Sequence, residues 1–71
     1  MLRTPVVSSN LDSVGYDRQI SMLEVQFRNG RIYQYAGVPE SVYSGLVNAF
    51  SKGAYLDTFV KKAGYPATKV A

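Results

Sequence analysis

Tyr33 and Tyr35 stand two residues apart, with Arg28 and Arg31 just upstream. Phenol rings beside guanidinium groups suit planar, anionic ligands. Aromatic faces stack on nucleobases, worth about 1–3 kcal/mol per base, and arginine meets phosphate. Lys52, Lys61, Lys62 and Lys69 add cations further along, and together they would make a phosphate-facing patch; a solvated helix end and tail is the ordinary alternative. Little else in the chain invites chemistry. The five carboxylates, Asp12, Asp17, Glu24, Glu40 and Asp57, have no spacing that suggests a dyad or a metal site. The six glycines form neither a dinucleotide-binding fingerprint nor a phosphate-binding loop. Ser8, Ser9, Asn10 and Ser13 supply polar groups, and turn chemistry is the role that fits them.

The chain contains no Cys and no His. That removes the thiol nucleophile, the usual zinc ligands and the commonest acid–base catalyst. An enzyme is therefore not expected, and neither a metal nor any other cofactor is called for. At 71 residues there is room for one domain, residues 1–71, with a core from about 6 to 65 and a loose C-terminal tail. A chain of this size buries only about 60% of the surface exposed on unfolding. The net charge of +3 fits RNA, DNA or an acidic surface as partner, and also an ordinary soluble protein. No apolar run reaches the ~18–20 residues that span a bilayer, so no membrane partner is expected. Met1 to Thr4 lack the apolar region of a secretory signal, which makes the cytoplasm the default location.

The elements that must position these groups divide into strands, then helices. Pro5 to Ser9 and Leu11 to Tyr16 read as short strands, with a bend at Gly15 and a turn at Asp17-Arg18-Gln19. Ile20 to Phe27 is the strongest strand, because Leu23, Val25 and Phe27 alternate with Met22, Glu24 and Gln26. Asn29-Gly30 is a hairpin signal, since both residues accept positive φ, and Arg31 to Ala36 returns as the partner strand. Pro39 suits the first position of a helix, with Glu40 at its positive end. Val42, Tyr43, Leu46, Val47, Ala49 and Phe50 then recur at helical spacing and define a core face. Gly45 costs that helix roughly 1 kcal/mol, which points to close approach by another backbone. Ser51 caps a second helix from Ala54 to Ala63, with Tyr55, Leu56, Phe59 and Val60 on its apolar side and Gly64 as its stop. The fold class is α+β: a small antiparallel sheet around a central hairpin, followed by two helices packed on one face.

The hairpin register decides what the tyrosines do. In a two-residue loop, Phe27 faces Ile32 and Val25 faces Gln34, and the tyrosines join Glu24, Gln26 and both arginines on the polar face. If Gly30 instead sits in a bulge after a type I turn, the register slips by one and Tyr33 and Tyr35 stand beside Val25 and Leu23 in the core. The first register is favoured. It gathers five apolar side chains on one side, and the second would bury two phenol hydroxyls that need partners.

Several motifs together resemble the KTSC domain. They are Ser8-Ser9-Asn10-Leu11, Ser13-Val14-Gly15-Tyr16-Asp17, Leu23 through Phe27 with Asn29-Gly30, Tyr33-Gln34-Tyr35, Val38-Pro39, Val42-Tyr43, and Ala49 with Ser51-Lys52-Gly53-Ala54-Tyr55. The resemblance runs from about Val6 to Tyr65, and the Tyr-x-Tyr at 33 and 35 is its most recognisable feature. The family is named after a C-terminal extension of some bacterial lysyl-tRNA synthetases, and it also occurs as small stand-alone proteins of bacteria and their phages. The attachment to a tRNA-charging enzyme suggests RNA as a partner, and the resemblance brings no catalytic residues.

Three functions follow as expectations. The first is a non-enzymatic module for tRNA-like or single-stranded RNA. Tyr33 and Tyr35 would stack bases, while Arg28, Arg31, Lys52, Lys61 and Lys62 would meet phosphates. The second is protein interaction or self-association into a homo-oligomer, since six Tyr and three Phe are many for so small a chain to cover. The third is an oligomer that holds a small anionic nucleotide.

Overall fold

A computed structural model covers Met1–Ala71. Five antiparallel strands form one sheet in chain order: β1 Thr4–Pro5, β2 Leu11–Asp17, β3 Met22–Phe27, β4 Ile32–Tyr35 and β5 Ala67–Lys69. Two helices fall between β4 and β5: α1 Glu40–Asn48 and α2 Lys52–Leu56, which runs on into a π-helical turn, Asp57–Lys61. The architecture is α+β, as the patterning predicts. The tail is not loose. Residues 67–69 pair with β4, Tyr33 opposite Lys69 and Tyr35 opposite Ala67, because β4 otherwise has an open edge of backbone donors and acceptors.

One face of the sheet carries the core. Leu11 and Val14 of β2, Leu23 and Val25 of β3 and Tyr35 of β4 meet Leu46 of α1, Leu56 of α2 and Val60 of the π-turn, with Val38 between sheet and helix. A fully buried Leu or Val contributes about 1.5–3 kcal/mol relative to exposure. Tyr16 lies on this face too. Its ring stacks on Tyr43 at 5.1 Å, and its hydroxyl donates to the Val38 carbonyl at 2.5 Å, so the phenol ties sheet to helix.

The observed hairpin has the bulged register. Val25 pairs with Tyr33 and Leu23 with Tyr35, not with Gln34 and Ala36. The Gly30 N–H donates to the Phe27 carbonyl at 2.9 Å, and the Phe27 N–H donates to the Arg31 carbonyl at 2.8 Å. Gly30 has φ +90°, which completes a type I turn with a glycine bulge. The favoured two-residue loop is thus overturned. The hydroxyl cost that argued against this register does not arise: no buried side-chain polar atom lacks a partner. A tyrosine buries its ring and keeps its polar tip at the edge of the core.

Four other expectations change. Phe50 is off the helical face and fully exposed, because Ala49 leaves the helix in an extended conformation. Phe59, expected on the apolar side of the second helix, is half exposed beside Tyr55. The close approach expected at Gly45 and the bend expected at Gly15 also change. A Cβ on Gly45 would strike the Tyr55 phenol, a side chain and not a backbone. Gly15 lies within an unbroken strand, and a Cβ there would strike the Leu2 carbonyl, where the N-terminal segment crosses the other face of the sheet.

That second face is polar. Glu24, 5% exposed, pairs with Arg3 and accepts a hydrogen bond from Gln34 Nε2 at 2.8 Å. Arg3 Nε also donates to the Ser13 hydroxyl at 3.1 Å. Burial pushes the Glu24 carboxyl up, but the hydrogen bonds from Gln34 and Arg3 and the guanidinium charge outweigh it and hold the carboxyl below its ordinary value.

Candidate functional site

The bulged hairpin delivers its aromatic residues to one end of the core face. Phe27 closes β3 and Tyr33 sits near the start of β4. Their rings meet edge to face, with centroids 5.8 Å apart and planes at 83°. Tyr33 lies over Tyr35 at 6.5 Å. The π-turn carries Lys61 to the same place, its Nζ 5.1 Å from the centre of the Phe27 ring. Phe27, Tyr33, Lys61 and Arg31 line a groove of about 420 Å³, together with Asn29, Tyr35, Tyr65 and Ala67. A second basin of about 360 Å³ adjoins it. Phe27, Asn29 and Lys61 are common to both, and Ser9, Asn10 and Arg28 complete the second.

Local bonding holds this end in place. Asn29 Oδ1 accepts from the Arg31 N–H at 3.0 Å, which closes the turn. The Arg28 N–H donates to the Asn10 carbonyl at 3.0 Å, and Arg28 Nε donates to the Ser8 carbonyl at 2.7 Å. The hairpin tip is thereby tied to the loop before β2.

The electrostatics of the site follow from where the carboxylates are. Glu24 pairs with Arg3, Glu40 with Arg18 at 2.5 Å, and Asp57 with Lys62 at 3.3 Å. The hydrogen bond and charge of Glu40 raise the Arg18 guanidinium above its ordinary value. No carboxylate lines either basin, and Arg28, Arg31 and Lys61 make no ion pair. Three cations therefore stand, without an ion pair, beside half-buried aromatic rings.

The expected site residues are only partly brought together. Tyr33, Tyr35, Arg31 and Lys61 share the first groove, and Arg28 lines the second. Tyr35 is 3% exposed, so the flat platform of two outward rings does not exist. Burial, and then the neighbouring Tyr33, raises the Tyr35 phenol further above its ordinary value. Lys52 lies elsewhere and donates to the Ala49 carbonyl at the end of α1, at 3.1 Å. Lys62 is engaged with Asp57. Phe27, Asn29 and Tyr65 were not expected at the site: in the sequence they read as a core residue, a turn residue and a helix exit. The available signal was the turn, since Asn29-Gly30 serves a bulged loop as well as a two-residue one.

No three His, Cys, Asp or Glu side chains come together to hold a metal. No helix is long and apolar enough to cross a membrane.

The KTSC domain model matches residues 7–65, and the chain belongs to that family. A solved KTSC domain protein of Yersinia pestis is 43% identical, with a TM-score of 0.91 over 99% of this chain and 97% of that one. An uncharacterized protein of Stutzerimonas stutzeri is 38% identical over 65 residues, 92% of each chain. A lysine–tRNA ligase of Nostoc punctiforme is 36% identical over 53 residues, which is 75% of this chain but 9% of that protein.

Proposed function

We propose that this KTSC domain is a non-enzymatic, cytoplasmic module that binds unpaired RNA in the groove at the hairpin tip. The observation that carries the proposal is the set of three unpaired cations, Arg28, Arg31 and Lys61, around Phe27 and Tyr33 with no carboxylate among them. Half-buried rings beside cations without ion pairs favour a polyanion whose bases are unstacked. The relative named as a lysine–tRNA ligase is consistent with an RNA setting.

Fluorescence anisotropy with a short single-stranded RNA tests it. With about three to four phosphate contacts, log K should fall with log salt at a slope of roughly −2 to −3. Arg31→Gln should flatten that slope by about 0.7. Tyr33→Leu keeps an apolar side chain in the sheet and should weaken binding by about 1–3 kcal/mol. An affinity indifferent to salt and to both substitutions overturns the proposal.

A second reading, self-association, draws on the full exposure of Phe50 and the half exposure of Phe59 on the helical side. Light scattering that reports a monomer at high concentration removes it.

A further inference from the structure

We propose that the two adjoining basins form one site for a single unstacked nucleotide, base in the aromatic groove and phosphate in the polar basin. This deepens the RNA reading and rests on it for the source of the nucleotide. The planes of Phe27 and Tyr33 stand at 83°, so a planar heterocycle laid on the Tyr33 ring meets Phe27 edge to face. Tyr35 already stacks on one side of the Tyr33 ring, so the groove offers a base a single stacking surface. A volume of about 420 Å³ falls near the lower end of small-ligand clefts, about 300–1,000 Å³. The neighbouring basin differs in chemistry. Five of its six lining residues are polar or charged: Ser9, Asn10, Arg28, Asn29 and Lys61. Arg28 commits only Nε to the Ser8 carbonyl, which leaves its terminal nitrogens for an anion. Lys61 borders both basins and already rests on Phe27, so its ammonium belongs where base and phosphate join. Asn29 uses its carbonyl oxygen in the turn, and its amide N–H₂ remains to donate to a base carbonyl.

A free nucleoside monophosphate and an unpaired nucleotide of RNA present the same unit, and one experiment separates them. Uridine and adenosine 5′-monophosphates, uridine, ribose 5-phosphate and a single-stranded hexanucleotide are each titrated onto ¹⁵N-labelled protein. The monophosphates should shift the backbone amides of Tyr33 and Tyr65, which line only the aromatic groove, together with those of Asn10 and Arg28, which line only the polar basin. Uridine should shift only the first pair, and ribose 5-phosphate only the second. Lys61→Gln and Arg28→Gln alter exposed side chains, and each should weaken the monophosphates about five- to tenfold; Arg28→Gln, at a residue that lines only the polar basin, should leave uridine within twofold. Monophosphates that shift neither pair, or that ignore both substitutions, overturn the single-nucleotide site, even if the hexanucleotide binds. Monophosphates that behave as expected while the hexanucleotide binds no tighter support the site and remove the RNA reading.

Discussion

Gly45 shows how much one absent methyl group carries. In an exposed helix, alanine would be better than glycine by about 1 kcal/mol. Here the Tyr55 phenol occupies the space a Cβ would need, and the Tyr55 ring is itself held against Phe59 at 4.6 Å. Gly45→Ala should therefore destabilise the protein by about 1–2 kcal/mol, since overpacking outweighs propensity. The same step in a Tyr55→Ala background should stabilise by about 1 kcal/mol. Urea unfolding of the four proteins measures this cycle, and equal effects in both backgrounds would show the contact to be idle. The glycine itself was legible in the sequence as an anomaly within a helix. Its partner was not, because nothing local distinguishes an approaching backbone from an approaching ring ten residues away.

At the scale of the elements, the β3–β4 turn decides which face the aromatic side chains take. Gly30 sits at φ +90° with open space around it, so a side chain there meets conformational strain and no clash. Gly30→Ala should cost about 1–2 kcal/mol, and Gly30→Asn less, because asparagine tolerates the left-handed region better. Equal stability of Gly30→Ala and the parent in thermal unfolding would rule out the bulged loop in solution. The alternation of Leu23, Val25 and Phe27 announced β3 correctly, and the periodicity from Val42 to Val47 announced α1. Ile32 misled: its β-branched side chain argued for the core, yet it faces Gln26 on the polar side. Burying Tyr35 and packing Tyr33 against the core removes more apolar surface from water than burying Ile32, and that outweighs the local hint. The π-turn left no trace in the periodicity, although it sets Lys61 over Phe27.

Across the whole molecule, the two faces of the sheet divide the charge. The polar face neutralises its own: Glu24 is buried with Arg3, Gln34 and Ser13 around it, beneath the N-terminal segment. The hairpin end leaves its cations unpaired. Glu24 titrates lower in the folded chain than in the unfolded one. Its stabilising contribution is therefore complete above the ordinary glutamate pKa of about 4.3 and is lost as pH falls through the lower folded-state value. Urea unfolding between neutral pH and pH 3 should show that loss, and Glu24→Gln should flatten it. Arg3→Met leaves the carboxylate buried without its ion pair. It should cost about 1–3 kcal/mol at neutral pH, less than a fully buried pair because Arg3 is 27% exposed. A pH profile unchanged by Glu24→Gln would mean that the pair contributes nothing to stability.

Composition and periodicity were enough for the α+β class, the hairpin, the first helix and the lack of thiol and imidazole chemistry, because each depends on residue types or on neighbours within a few positions. The pairing of β3 with β4, the capture of the tail as β5 and the meeting of Lys61 with Phe27 came from the folded chain. Asn29-Gly30 accommodates two loops of similar local cost, so the choice between them passed to long-range burial, where the tyrosine rings weigh most.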